Sequence, residues 1–413
     1  MEFSGLRNSE NAQKVNVLER HTKIPECPVV LYVEGDGCGP EMWQTTRQVL
    51  DAVVKAVYNE NRKIEWLEVL AGEKAAVQYN PEITLPADTL QAIENHKLVI
   101  KGPTSARTLE YIKSSLELTL SLRILRGNFG IAGNILHPER INTCLFELNE
   151  GQGYHMFEAE AETEFAQTLA SVIKEQNNYH NEIMFPFGFS LQAVSQEFVN
   201  NAVRSVMQYT VENNKKSVVL VHRGNLRDST EGQFVRWAND IVRIEYANQT
   251  IFWEECGGNP PAGKILIREL SLEKLCSEII YKPAEFEVIA GLLPGMRVLT
   301  ESIAAQIGMQ GHLPAIHMNP ENGISVFDCE HGTFPKYAGL DKVNPFSQIY
   351  AGILLFEHIG WKEAAALLDS AVKKTIAMKT VTYDLAKNLE GAREVKCSEF
   401  GQLIIQNLGE YVS

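Results

Sequence analysis

Short apolar runs alternate along the chain with longer stretches in which apolar residues recur every three to four positions. Residues 28–33, PVVLYV, are a β-branched apolar run that predicts a buried strand. Pro40 then opens a segment with Trp43, Leu50, Val53, Val54 and Val57 at helical spacing, and proline is favoured in a first helical turn. Residues 97–105, KLVIKGPTS, predict a strand running into a loop closed by Gly102-Pro103. Residues 215–225, KKSVVLVHRGN, predict another strand that ends in a polar loop. Beyond it, Thr230-x-x-Gln233 has the form of a capping box at the start of a helix carrying Phe234 and Trp237. Residues 152–195 hold a helical stretch with Phe165, Leu169, Val172 and Ile173 on one face.

Gly35, Gly37 and Gly39 separate the first strand from the first helix, a placement that suggests a nucleotide loop. The spacing is GxGxG with no sixth-position glycine, so the Rossmann fingerprint fails. A length of 413 residues predicts two or three lobes, and 45% apolar with 22% charged residues is ordinary for a soluble globular protein. A net charge of −14 argues against nucleic acid or an anionic membrane as partner, yet leaves room for a local basic pocket. The seven cysteines are scattered without CxxC spacing and read as reduced thiols. The N-terminal segment lacks the apolar core of a signal peptide, and no run approaches the ~18 apolar residues of a membrane span. The expectation is a cytoplasmic protein.

The densest candidate chemistry lies in residues 326–345, VFDCEHGTFPKYAGLDKVNP. His331-Gly332-Thr333, Lys336-Tyr337 and Asn344-Pro345 supply groups suited to a phosphorylated ligand. Gly332 lets backbone approach a ligand without a Cβ in the way. Taken alone, the same residues also suit an ordinary structural loop.

Together with VEGDGCGPEMW at 33–43, LVHRGNLRDSTEGQFVRWA at 220–238, KTVTYD at 379–384 and KCSEFG at 396–401, this stretch resembles the NADP-dependent isocitrate dehydrogenases. These belong to the β-decarboxylating dehydrogenase family, which includes isopropylmalate dehydrogenase. The resemblance spans roughly residues 15–410 and implies an α/β isocitrate/isopropylmalate dehydrogenase-like fold, not a classical Rossmann fold. It implies a large α/β domain (1–122 and 309–413), a small one (123–151 and 196–308) and a clasp (152–195). In the family the clasp interlocks two subunits and the active site is shared between them, so a homodimer acting on a small molecule is expected. A surface helical hairpin is the alternative reading of the clasp segment.

The resemblance also locates departures. The family carries Ser-x-Asn-x-x-x-Arg on a helix, then a second arginine in an Arg-Pro loop, and these clamp substrate carboxylates. The aligned run is Ser115-Leu116-Glu117-Leu118-Thr119-Leu120-Ser121, with Glu117 for the asparagine and Ser121 for the arginine. The Arg-Pro loop is rewritten as RILRGNFGIAGN, leaving Arg123 and Arg126 as the nearest surrogates. Glu147 replaces a third family arginine. Tyr154 aligns with the tyrosine that reprotonates the enolate. Arg223 replaces the lysine of Val-His-Lys-Gly-Asn, next to Asn225, and a guanidinium cannot take the proton that the lysine handles. The three aspartates that hold Mg²⁺ or Mn²⁺ are replaced by Glu273, Arg297 and Glu301, a set that weighs against a family-type metal site.

The cofactor positions are largely kept. His331, Gly332, Thr333, Lys336, Tyr337 and Asn344 match the family loop, Tyr383 matches a tyrosine reaching the 2′-phosphate, and Lys387 stands where the family has arginine. Lys282 keeps a basic charge contributed across the dimer. Lys101, Thr104 and Ser105 match groups near the nicotinamide and substrate. NADP is therefore the implied cofactor.

Three functions follow from this mixture. The first is an NADP(H)-dependent oxidoreductase of altered substrate, with Ser115, Glu117, Glu147, Asn225 and Arg297 lining the substrate side and Tyr154, Arg223 and Lys101 as the catalytic set. The second is an inactive paralogue or partner subunit whose old pocket has filled with ion pairs. An ordinary isocitrate dehydrogenase requires the missing clamp, lysine and metal ligands to be dispensable.

Overall fold

The computed structural model describes residues 16–18, 21–127, 129–131, 133, 135, 137–151, 153–177, 186–224, 230–292 and 295–409. An 11-stranded sheet forms its centre. Across the sheet the strands are Thr250–Phe252, Ile265–Ser271, Ser217–His222, Val288–Leu292, Asn142–Leu148, Leu120–Arg126, Ala315–Met318, Ser325–Asp328, Leu98–Lys101, Val29–Val33 and Glu65–Glu68. The first five are mutually parallel, as are the last four. Leu120–Arg126 and Ala315–Met318 pair antiparallel with each other and with their outer neighbours. Three successive reversals therefore set the two parallel halves running in opposite directions.

The strands predicted near residues 28–33, 97–105 and 215–225 are Val29–Val33, Leu98–Lys101 and Ser217–His222. They are buried almost throughout, so these strands read as continuous apolar runs instead of alternating ones. The helix predicted at Pro40 is Gly39–Tyr58, which buries Trp43, Leu50, Val53 and Val54. The helix Phe346–His358 is buried at every residue from Phe346 to Phe356, as expected of a helix apolar all round. Among the described residues, no helix is long and apolar enough to cross a membrane.

Several expectations need correction. Thr230 precedes the helix Glu231–Glu245, but its backbone has φ −106 and ψ −68 and its side chain makes no capping bond. A capping oxygen needs an extended backbone to reach the third amide of the helix. The Ser115–Ser121 run is not helical: the helix Ala106–Ser115 ends there, Glu117 has φ 51, and Ser121 lies in the strand Leu120–Arg126. The division into lobes at 122/123 is a separate matter and no correction: both residues lie in that same strand, and one continuous sheet can run through two lobes. Among the described residues of the 152–195 segment, the helix Glu164–Asn177 is accompanied by an antiparallel strand pair, Tyr154–Ala159 with Phe189–Val194, and not by a second helix. Phe165 and Val172 of that helix are exposed.

Candidate active site

Three loops meet at the carboxyl ends of Val29–Val33, Leu98–Lys101 and Ser325–Asp328. The Asp36 amide donates to Pro103 O at 2.6 Å, and the Cys38 amide donates to Thr333 O at 2.8 Å. The glycine turn is thus wedged between residues 102–105 and the 331–337 loop. Gly37 has φ 57, and a Cβ there would lie 2.1 Å from Thr333 O, so only glycine fits. His331 Nδ1 lies 2.7 Å from Gly332 O. Asn344 is buried; its Nδ2 donates to Asp384 at 3.0 Å and its Oδ1 accepts from the Phe346 amide at 2.9 Å.

The Tyr337 and Tyr383 rings are 5.8 Å apart. Lys336 Nζ lies 4.8 Å from the Tyr337 centroid, and Lys387 Nζ lies 5.1 Å from that of Tyr383. Lys342, which the sequence reading passed over, lies 5.3 Å from one ring and 5.0 Å from the other. Its only sequence signal is its place in the same loop, downstream of Lys336.

Behind these loops the sheet carries a buried charge network. Arg123 is fully buried; it pairs with Glu147 and grips Glu330 through Nε at 2.8 Å and Nη2 at 2.6 Å. Glu330 also accepts from Arg297 at 3.1 Å, and Arg297 Nε lies 3.5 Å from Glu301. Thr300 donates to Glu147 at 3.1 Å. Alongside, Lys101 pairs with Asp328 at 3.0 Å and donates to Thr104 at 3.0 Å. His317 Nδ1 meets Ser121 Oγ at 2.7 Å, and His317 Nε2 lies 3.7 Å from Asp328.

Burial alone would raise the Glu330 and Asp328 carboxyls, but Arg123 and Lys101 respectively hold both below the usual range. Burial pushes the His317 and His312 imidazoles below the usual histidine value, against the pull of Asp328 and Asp384. A histidine with a depressed folded pKa is neutral when folded, so its stabilising share is full above about 6.5 and is lost as pH falls. A depressed carboxylate acts in the same direction, from its ordinary value downward. Unfolding free energy is therefore expected to decline as pH drops from about 6.5 towards 4. Urea titrations across that range check this, and constant stability between pH 7 and pH 4 would contradict it.

A second cluster surrounds Tyr154, which is fully buried. Gln192 donates to its Oη at 3.1 Å and accepts from Arg223 Nη2 at 2.7 Å, while Arg223 Nε donates to Glu231 at 2.6 Å. Burial raises the Tyr154 phenol to about 12. Gly295, at the start of the helix Gly295–Gln306, packs beside the Arg223 stem, and a Cβ there would lie 3.6 Å from Arg223 Cγ. Arg297 is in the first turn of that helix, which links the two clusters.

Other predicted residues lie elsewhere. Ser115 ends its helix, and Glu117 lines a separate pocket of about 290 Å³ with Glu197, Asn319 and Glu321, because the chain turns at Glu117 before entering the sheet. Ser105 caps the helix Ala106–Ser115 by accepting from the Thr108 amide at 3.1 Å. Lys282 is exposed and pairs with Glu285 at 3.5 Å within the chain. Glu273 is exposed near Gly224. Asn225 lies outside the described residues. Arg126 pairs with Glu357 at 2.7 Å and is held as a structural cation. The sequence reading missed Asp328, Glu330, His317 and Gln192; the first two flank Cys329 in the stretch richest in candidate chemistry.

The opposed parallel halves, with the glycine turn and a lysine-bearing loop at the strands' carboxyl ends, define an α/β protein. The chain belongs to the isocitrate/isopropylmalate dehydrogenase family, whose model matches residues 29–404. It is 34% identical over 428 residues to an isocitrate dehydrogenase [NADP] of Staphylococcus epidermidis, covering 96% of this chain and 100% of the relative. It is 33% identical over 422 residues to that of Coxiella burnetii, covering 98% and 97% of the two chains. The crystal structure of isocitrate dehydrogenase from Methylococcus capsulatus superposes with a TM-score of 0.70 at 20% identity, over 92% of this chain and 99% of that one, and so shares the fold.

Proposed function

We propose that the chain is an NADP(H)-binding, isocitrate-dehydrogenase-like oxidoreductase that acts on a substrate other than isocitrate and lacks the family Mg²⁺ or Mn²⁺ site. The observation that carries this reading is the Arg297–Glu330–Arg123–Glu147 chain of charges, set across the substrate and metal positions beside a kept cofactor loop. The relatives are named as NADP enzymes, and the Lys336, Tyr337, Tyr383 and Lys387 cluster fits a phosphate. A divalent ion at the metal positions would meet the Arg297 guanidinium where it needs oxygen ligands.

NADP(H), when bound, supplies or accepts the hydride. The chain's own groups do the rest. Arg223 and Arg297 are each 45% exposed and can hold an anionic substrate group. Tyr154, with its phenol raised to about 12, keeps its proton for donation. Lys101 and Thr104 position the loop behind them. The two lobes, a clasped homodimer and a cytoplasmic location belong to the same proposal.

A catalytically silent paralogue or partner subunit is the second reading. It is favoured by Arg123 and Glu147, which are almost wholly buried and satisfy each other. Titration of the purified protein with NADPH and NADH separates the two. Binding of NADPH at least about tenfold tighter than NADH is expected. Binding of neither would overturn the oxidoreductase and leave the silent subunit.

A further inference from the structure

Gln192 connects Tyr154 to Arg223, and the chemistry of the three groups fixes which way each hydrogen bond runs. A guanidinium has donors and no acceptor, so the Gln192 atom that meets Arg223 Nη2 at 2.7 Å must be the amide oxygen. The amide nitrogen then faces Tyr154 Oη at 3.1 Å, and since that nitrogen can only donate, the phenol oxygen accepts. Arg223 is itself held by Glu231, which is buried and accepts from Nε at 2.6 Å. Gln192 lies on the strand Phe189–Val194, opposite Met156 of the strand that begins with Tyr154, so the register of the pair sets the reach of its side chain. From Arg223 through Gln192, each donation points towards the phenol.

We infer that Gln192 is a positioning residue for Tyr154: anchored by Arg223, it donates to the phenol oxygen, so the Tyr154 proton does not engage it and the phenolate left after proton transfer keeps a donor. This rests on the oxidoreductase reading, in which Tyr154 is the proton donor, and adds a residue which that reading did not include. In the step itself the Oη–H bond breaks, its electron pair stays on Oη, and the proton passes to the substrate. Solvent returns a proton to the phenolate afterwards. A hydrogen bond to the charged form of a group favours that form. Gln192 and Arg223 therefore oppose burial and the nearby Glu150 and Glu231 carboxylates, all of which hold the phenol high.

The test follows the Tyr154 phenol itself. The full-length protein and its Gln192→Met and Gln192→Glu variants are prepared with difluorotyrosine, whose more acidic phenol titrates below strongly alkaline pH. The Tyr154 fluorine resonance is assigned by its loss in Tyr154→Phe. In Gln192→Met the titration midpoint is expected to rise by about 1 pH unit or more, because the phenolate loses its donor. Gln192→Glu keeps the shape and the contact with Arg223 but turns an acceptor towards the phenol, and should raise the midpoint at least as far. A role in packing alone would leave Gln192→Glu unchanged. Thermal melting of each variant controls for folding. Midpoints within about 0.3 of the unaltered protein in both variants would overturn the role of Gln192. NADPH and NADH titrations of the same proteins separate this from the wider reading. If NADPH binds and the midpoints do not move, the oxidoreductase stands without Gln192. If the midpoints move and neither nucleotide binds, the hydrogen bond stands and the proton-donor role falls with the oxidoreductase reading.

Discussion

Isocitrate oxidation with NADP and Mg²⁺ is expected to run at least about 10⁴-fold slower than in the Staphylococcus epidermidis relative assayed alongside, since losing a general base alone costs about 10²–10⁴-fold. On the proposed reading Arg223 stands where the family lysine handles the substrate hydroxyl, and a guanidinium remains protonated at any working pH. On the same reading Glu147 replaces a carboxylate-binding arginine, and it is committed to Arg123 and Thr300. Arg297 pairs with Glu301 and Glu330, and that reading places Arg297 and Glu301 at metal-ligand positions. These losses act on different parts of the reaction, so repairing one should not restore it. Arg223→Lys is expected to stay within about tenfold of the unaltered rate, because on the proposed reading the clamp and the metal site are missing as well. The assay is NADPH formation followed by absorbance. A rate within tenfold of the relative's would sink the altered-substrate reading and return the protein to the family reaction.

Much of the fold was legible because its signals are local. The run at 28–33, the glycine turn and Pro40 follow one another within a few residues and fix a strand, a turn and a helix. The cofactor loop was legible for the same reason, since its groups lie on one continuous stretch and need only two partners from residues 383–387. The misreading at Ser115–Ser121 came from following a motif through a helix end. Leu118, Leu120 and Leu122 alternate with Thr119, Ser121 and Arg123, which is the period of a strand, and all three leucines are buried. The buried network was illegible for a different reason. Arg123 meets Glu147 across 24 residues and Glu330 across 207, and nothing in either local pattern announces the other. The gains of arginine and glutamate suggested internal pairing. Which acid met which base depended on the antiparallel middle of the sheet, which brings residues 120–126, 142–148 and 325–328 together.

Arg123→Met should lower the unfolding free energy by about 3–5 kcal/mol, because removing one partner of a buried pair leaves an uncompensated charge. The side chain is wholly buried between Glu147, 2% exposed, and Glu330, 9% exposed, so water cannot re-enter to solvate them without disturbing the sheet. Thr300 would still donate to Glu147, and Arg297 to Glu330, but each is a single contact replacing a shared guanidinium. Glu330 is held far below the usual carboxylate range chiefly by Arg123. The variant should therefore shift that carboxyl upward and move part of its acid sensitivity towards neutral pH. Urea denaturation at pH 7.5 measures the loss, and a cost under about 1 kcal/mol would mean that the pairs are solvated surface contacts. The combined variant Arg123→Met, Glu147→Leu, Glu330→Gln removes both buried acids with the base and should recover most of the stability, since well-packed apolar groups can replace a buried ion network. Recovery would identify the network as self-contained, as the proposed reading requires. Failure to recover would mean that Arg297, left with Glu301 alone, depended on the Glu330 carboxylate, and that Arg297 and Arg123 form a single unit.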